Sequence, residues 1–257
     1  TRKSKKRGSR FLNARIDRLS EDARALGVSL NSSQASKLVA YGGLIEKWNR
    51  SINLVSRGDI ARLDKRHLTD SLAASPYLEG ETVLDVGTGP GLPGIPLAIA
   101  RPTLMFTLWE RMSRRVRFLQ LVRRELGLNN VEVVECDLDK TAHLKPLRFD
   151  HIVARAVAPM EQLWPSLRGH LTKNGSLIVY SHTSTQVQED ASDFSNDLHA
   201  SGAGRGRSAP TTLQSQGLQL KQITYAVPGL GAKHHLQFVS NSAMGRYPVR
   251  LKFRGIR

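Results

Sequence analysis

Near the start of the chain, apolar residues recur at alternating steps of four and three: Leu12, Ile16, Leu19, Ala23 and Leu26. That spacing predicts one face of a helix ending near Gly27. A second stripe, Leu38, Tyr41, Ile45 and Trp48, follows Asn31, whose side chain suits an N-cap. Gly42 and Gly43 fall inside it and either weaken the helix or admit another backbone at close range. A third helical stretch is expected from Ile60 to Ala74, stopping before Pro76. From Thr82 the period shortens. Apolar runs over 82–87, 104–110, 131–135, 150–154 and 175–181 read as strands, with helices at about 94–101, 112–127 and 159–170 between them. Two more strands, near 218–227 and 234–240, meet at the turn Pro228-Gly229-Leu230-Gly231. The pattern predicts an α/β fold in which a parallel sheet of βαβ units is closed by an antiparallel pair. Residues 11–80 are expected to form a helical cap and 81–240 the main domain, with a flexible Gly- and Ser-rich insertion at 201–211.

Composition adds three things. A chain of 257 residues suits one α/β domain with an appendage. No run approaches the ~20 apolar residues of a membrane span, and the first residues carry no apolar signal core, so a soluble, cytoplasmic protein is expected. Cys136 is the single cysteine, which excludes a disulfide framework and an all-cysteine metal site. The histidines show no ligand spacing, so no metal is expected, and a monomer is.

Charge changes the picture more. Of the net +16, six cations lie in residues 1–10 and five in residues 246–257, neither stretch holding an acid. Both read as disordered basic tails of the kind that binds polyanions through counterion release.

The first strand runs into Val83-Leu84-Asp85-Val86-Gly87-Thr88-Gly89-Pro90-Gly91-Leu92-Pro93-Gly94-Ile95-Pro96. Glycines at a strand end permit a tight turn and close approach of a nucleotide-like ligand. Two frames fit. Asp85-x-Gly87-x-Gly89-x-Gly91 is the loop used for S-adenosylmethionine, and Gly89-x-Gly91-x-x-Gly94 formally matches a dinucleotide fingerprint. A pyrophosphate wants a row of backbone N–H donors at a helix start, and Pro90, Pro93 and Pro96 each delete one. S-adenosylmethionine has no phosphate to hold, so the prolines favour it. An NAD(P)-dependent oxidoreductase is the alternative. Glu110 ends the second strand, 23 residues after Gly87, where a ribose-binding carboxylate is expected. Cys136-Asp137-Leu138-Asp139 follows the third strand, where adenine lies in methyltransferases; either aspartate could instead cap a turn.

Two methylation chemistries leave marks that are missing. After the fourth strand the chain reads Ala154-Arg155-Ala156-Val157-Ala158-Pro159 rather than the Asn/Asp-Pro-Pro-aromatic loop of exocyclic amine methylation. Carbon methylation of pyrimidines needs a nucleophilic cysteine, and Cys136 lies on the third-strand side. A substrate that needs no base fits what remains. Guanine N7 has a free lone pair and no proton to lose, so positioning and desolvation suffice. Arg155 stands where substrate and cofactor should meet, or forms a structural ion pair. The helix after Glu110 can turn Val116, Leu119, Val122 and Leu126 to the sheet and Arg114, Arg117 and Arg124 to phosphates or to solvent.

These stretches together resemble the bacterial 16S ribosomal RNA guanine-N7 methyltransferases, also called glucose-inhibited division protein B, over roughly residues 26–240. The matching residues are Trp48-Asn49 with Asn53-Leu54, Arg66-His67-Leu68 through Asp70-Ser71-Leu72, the whole glycine-proline string, Arg115-Val116 with Phe118-Leu119, Arg155-Ala156 and Pro228-Gly229. The resemblance implies a class I, Rossmann-like fold with a mostly parallel seven-stranded sheet whose last strand is antiparallel. It implies S-adenosylmethionine contacts from Gly87, Leu92, Glu110, Leu138, Asp139 and Arg155, beside the loop positions Asp85, Gly89 and Gly91. It also implies an active-site border at Arg66-His67 and Asp70-Ser71, with His67, Asp70 and Arg155 as catalytic candidates. From the residues alone, His67 and Asp70 read as a pair packing the cap onto the sheet. The partner implied is 16S rRNA or the 30S particle, met by Arg66, Arg114, Arg115, Arg117 and His234. The chain departs from the family at Ser181-His182, where Lys-Gly is usual, and at His234-His235-Leu236, where Arg-His-Leu is usual. A catalytically silent RNA-binding relative is therefore a further alternative.

Overall fold

The computed structural model describes residues 2–138, 147–181, 218 and 220–240. Asp139, His182, the 201–211 insertion and the 241–257 tail lie outside these residues.

Two helices open the fold, α1 (Arg2–Ala25) and α2 (Ser32–Trp48). α1 takes in the N-terminal basic run, in which only Gly8 has poor helical propensity. On the predicted stripe Leu19, Ala23 and Leu26 are buried, whereas Leu12 is 51% exposed because the helix has left the cap by that point. The Asn31 cap forms as read. Its side chain accepts from the Gln34 amide while the Gln34 side chain accepts from the Asn31 amide, a reciprocal box that fixes the helix start. Leu38, Tyr41 and Ile45 are fully buried, and Trp48 meets Phe118 edge-on with centroids 6.5 Å apart. At Gly42 an added Cβ would come within 2.8 Å of Arg15 Nη2, so here the glycine lets α1 approach. Arg15 then bonds Asp64 and Glu46.

The third helical stretch is not one α-helix. Arg57–Arg62 is 3-10, Asp64–Thr69 is π, and Leu72–Tyr77 is 3-10 and runs through Pro76. A π turn inserts an extra residue per turn and re-aims the side chains that follow. Here those are His67 and Asp70.

The sheet has seven strands: β1 (Thr82–Val86), β2 (Met105–Glu110), β3 (Val131–Glu135), β4 (Phe149–Arg155), β5 (Leu171–Ser181), β6 (Lys221–Ala226) and β7 (Lys233–Ser240). Their order is β3-β2-β1-β4-β5-β7-β6, parallel except that β7 runs antiparallel to both β5 and β6. The crossovers are α3 (Gly94–Ala100), α4 (Ser113–Glu125) and α5 (Met160–Leu167), the last continued by a 3-10 turn to His170. Period-2 alternation divides the core between two faces. Val83, Val153, Ile178, Leu236 and Phe238 join the cap, α3 and α4 on one side. Leu84, Val86, Ile152, Ala154, Leu177 and Val179 join Leu163 and Trp164 of α5 on the other. The order reverses between β1 and β4, and ligands of open α/β sheets bind at such a switch point, outside the strand C-termini.

No described helix is long and apolar enough to cross a membrane. Among the described residues no cluster of three or more His, Cys, Asp or Glu could hold a metal ion.

Candidate active site at the strand ends

The loop after β1 spends its own donors. Thr88 N donates to Trp109 O, Gly91 N and Leu92 N to Thr88 O, and Ile95 N to Gly91 O. Gly89 N donates to Glu110 Oε2 at 2.9 Å and Gly94 N to Asp85 Oδ2 at 2.7 Å. Pro90, Pro93 and Pro96 have none to give. No row of free N–H groups is left for a pyrophosphate, which removes the ground for the dinucleotide alternative. The loop is a self-satisfied scaffold, and the cap helix pins it: the buried Tyr41 hydroxyl donates to Pro90 O at 2.8 Å.

Its glycines divide by task. Gly91 and Gly94 are packing glycines, since an added Cβ would meet Ile95 at 2.5 Å in one case and Leu108 at 2.4 Å in the other. At Gly89, with φ +62, a Cβ would meet only Gly87 O, at 4.0 Å. The backbone there faces space that a ligand can fill. Gly87 is exposed, with φ +63, and sits under Val157. Val157, and Met112 whose amide bonds Glu110, are apolar residues left 40% and 44% exposed. Ala156, at φ +56, makes the turn that carries Val157 back over Gly87.

Two of the predicted ligand contacts have inward side chains. Leu92 is 4% exposed and packs into the cap-side core. Asp85 is fully buried beneath the loop, where Oδ2 accepts from Thr88 Oγ1 and Gly94 N. These bonds let it position the loop's glycines. Burial pushes its carboxyl up to about 7 against the Thr88 and Gly94 hydrogen bonds and the Arg155 charge. A folded pKa above the ordinary ~3.9 means that the native state binds the extra proton, so this group's contribution to stability falls as pH rises from ~4 to about 7. His67 and His151, pushed down to about 4 mainly by burial, tilt stability the other way over pH ~4 to 6.5. The Asp85→Asn variant isolates the first effect. In urea titrations at pH 5 and 8 the parent should lose stability relative to the variant at the higher pH, and a pH-independent difference would refute the assignment.

Glu110 is 3% exposed. Its two oxygens accept from Gly89 N and from Met112 N at 2.8 Å, leaving a second lone pair on each. Arg115 Nη1 lies 3.9 Å away, and its Nη2 reaches Asn53 O. This predicted RNA contact thus leans half-buried against the site. Arg114 and Arg117 are exposed on α4, and Val116, Leu119, Val122 and Leu126 face the sheet as read. Arg66 is 47% exposed and pairs with Asp59 at 3.0 Å. Leu138 is half-buried against the α5-side core.

Beside the loop, the cap and sheet are joined by one polar cluster. Asp70, 1% exposed, is its hub. Oδ2 accepts from Arg155 Nη1 at 3.2 Å; Oδ1 accepts from the Tyr225 hydroxyl at 2.8 Å and lies 3.0 Å from His234 Nδ1. Arg155 Nη2 donates to His67 Nδ1 at 3.1 Å, which puts the proton of the neutral imidazole on Nε2, facing Asp59 across 3.6 Å. Burial would raise the Asp70 carboxyl, but His234, Arg155 and Tyr225 outweigh it and hold the pKa below the ordinary value. Tyr180 completes the row, donating to Ser71 O. Of the predicted residues, Arg155, His67 and Asp70 come together. His234 is 4% exposed and lies against Asp70. Tyr41, Tyr180 and Tyr225 belong to the site but carry no local signal beyond an aromatic in a buried stripe.

Residues 34–202 match the family model described as rRNA small subunit methyltransferase G, GidB. The chain belongs to this family. The ribosomal RNA small subunit methyltransferase G of Serratia proteamaculans is 40% identical over 167 residues, covering 65% of this chain and 80% of that protein. The Klebsiella pneumoniae protein of the same name is 43% identical over 162 residues, 61% of this chain and 76% of its own. Among solved structures, a SAM-dependent methyltransferase from Aquifex aeolicus aligns with a TM-score of 0.48 and 17% identity, over 77% of this chain and 97% of that one. The glycine loop, Glu110, Arg155, His67 and Asp70 lie within the matched segment, whereas all of α1 and strands β6 and β7, with Tyr225 and His234, lie outside it.

Proposed function

We infer that this chain transfers a methyl group from S-adenosylmethionine to N7 of a guanine in 16S ribosomal RNA, acting as a monomer in the cytoplasm. The observation that carries the reading is the β1 loop. It consumes its own amides and opens one glycine, Gly89, toward space, opposite a buried carboxylate with acceptor capacity to spare. That suits a nucleoside with no phosphate. The ligand supplies an electrophilic methyl on a sulfonium. Glu110 would accept from the ribose hydroxyls, the Gly87–Gly89 backbone would lie against the amino acid end, and Met112 and Leu138 would flank the adenine.

Arg155 is the group nearest to both ligands in this reading. Asp70 and His67 hold two of its N–H groups, and its five-donor fork keeps others for a purine carbonyl oxygen. His67 is neutral near pH 7 and is occupied by Arg155, so no base is on offer beside it. A lone-pair nucleophile needs none. N7 attacks the methyl in line as the S–C bond breaks. The positive charge passes from sulfur to the guanine ring and no proton moves. What remains for the protein is orientation and exclusion of water, and the rigid Arg155–Asp70–Tyr225 chain serves the first.

Incubation with methyl-labelled cofactor and 30S particles lacking the modification, followed by nucleotide-resolution mapping, should label one guanine at N7. Label on an exocyclic amine or a ribose would overturn the N7 assignment. Binding without turnover would favour the silent relative raised by Ser181 and His234.

A further inference from the structure

His67 has one nitrogen engaged and one not. Nδ1 accepts from Arg155 Nη2, whereas Nε2 is buried with no hydrogen-bond partner among the described residues. The group facing Nε2 is Asp59, whose Oδ2 stands 3.6 Å away. That is long for a hydrogen bond but close for a charge acting on an N–H dipole. The carboxylate is held in place independently of His67. Ser56 caps the 3-10 turn Arg57–Arg62; its hydroxyl donates to Asp59 Oδ2 at 2.6 Å and accepts from the Asp59 amide at 3.2 Å. On one straight α-helix, residues eight apart are separated by about 12 Å along the axis. Between Asp59 and His67 the segment changes from 3-10 to π turns, and the two side chains approach to 3.6 Å.

Asp59 also pairs with Arg66 at 3.0 Å and with Arg62 at 3.7 Å, whose side chains are 47% and 56% exposed. Exposed pairs of this kind contribute little, and they do not require a carboxylate that is itself only 16% exposed. The tautomer of His67 does depend on it. A neutral imidazole carries one ring proton. On Nδ1 that proton would face the Arg155 N–H across 3.1 Å, donor against donor, and Arg155 would lose one of its two described anchors. On Nε2 it points at a carboxylate, and Nδ1 stays an acceptor. Asp59 is ionised near neutral pH, its carboxyl held below the ordinary range chiefly by the Ser56 hydrogen bond. We propose that Asp59 is a positioning residue for methyl transfer, holding the His67 proton on Nε2 and thereby keeping the Arg155 fork aimed at the substrate purine. The proposal rests on the methylation reading above. It gives Asp59 no contact with either ligand and no part in the transfer step.

The test compares Asp59→Ala and Asp59→Asn in the full chain, with Arg62→Gln as a control that leaves the carboxylate in place. Long-range nitrogen–proton NMR of protein with isotope-labelled histidine reads the imidazole tautomers, and the His67 signals are assigned by their loss in His67→Gln. The parent and the control should show the Nε2–H form at His67. Asp59→Ala should mix in the Nδ1–H form and transfer methyl to 30S particles roughly tenfold more slowly in single turnover, with S-adenosylmethionine affinity within about twofold of the parent's. Asp59→Asn keeps an acceptor oxygen for Ser56 and His67, so it should restore the tautomer and most of the rate. It also removes a charge that favours the imidazolium, so His67, pushed down to about 4 in the parent, should titrate at a still lower pH. The other charges facing His67 are Arg155, Asp70 and Arg66, and the variant leaves all three in place. An unchanged transfer rate in Asp59→Ala, or a His67 still wholly Nε2–H there, would overturn the proposal. An Asp59→Asn protein with the parent's tautomer but the alanine variant's rate would also overturn it. Loss of the tautomer in Asp59→Ala, made in a parent that transfers no methyl, would leave the orienting role standing and defeat the methylation reading instead.

Discussion

Replacing Asp70 with alanine is expected to lower folding stability by about 3–5 kcal/mol and methyl transfer by roughly 100-fold. The first figure follows from what the variant strands. Arg155, with a side chain only 10% exposed, would keep its charge and lose the carboxylate that offsets its burial, while the Tyr225 hydroxyl would lose its acceptor. The second follows from position, because Arg155 is fixed by Asp70 and His67 alone among its described hydrogen-bond partners. Urea unfolding and single-turnover transfer measure the two effects separately. Asp70→Asn keeps the shape and removes the charge, so it should cost less. It should also change the acid limb of the stability curve. The Asp70 carboxyl is held below its ordinary value, so it contributes stability above the unfolded-state pKa of ~3.9, and that contribution is lost as pH falls through the folded value. The asparagine variant should lack that loss. An alanine variant as stable as the parent would mean that the hub does not join cap to sheet.

Glu110→Ala should weaken S-adenosylmethionine binding by a factor of about 10² to 10⁴. Hydrogen bonds from two ribose hydroxyls to a charged acceptor are worth roughly 1.5–3 kcal/mol each, and about 1.4 kcal/mol is tenfold. The variant would also leave the amides of Gly89 and Met112 without their acceptor, loosening the loop that the ligand lies against. Glu110→Gln retains one acceptor oxygen and should fall between the two. Calorimetry reads the affinity, and thermal unfolding of the ligand-free protein separates it from loop damage. Undiminished affinity in the alanine variant would mean that the ribose is held elsewhere.

Features written in short-range spacing were legible. The Asn31 cap needs only Gln34 three residues on, the strand alternation needs only neighbours, and the prolines of the β1 loop withdraw donors wherever the loop lies. The fold class followed from these, including the antiparallel closing pair, because a four-residue turn leaves two strands no other pairing. The direction of the Leu92 side chain was not legible, for a tertiary reason. A leucine in a ligand loop can face ligand or core, and only the packing of α3 and α4 turns it inward. The helical stretch expected over Ile60–Ala74 divides into 3-10 and π turns, which apolar spacing does not separate from α.

The sequence by itself therefore determined the strand-and-helix order, the class of ligand the β1 loop can hold, and a carboxylate at the end of β2. Each depends on residues within a few positions of one another, where backbone geometry is the controlling physics. Only the tertiary structure decided that Asp70 is a hub and that His234 lies against it. The hub's partners lie 85 residues away at Arg155 and 155 away at Tyr225. They meet because β7 is inserted antiparallel between β5 and β6, bringing Tyr225 and His234 alongside the cap. Burial of a charge depends on everything packed around it, and no local pattern in the chain encodes that surrounding.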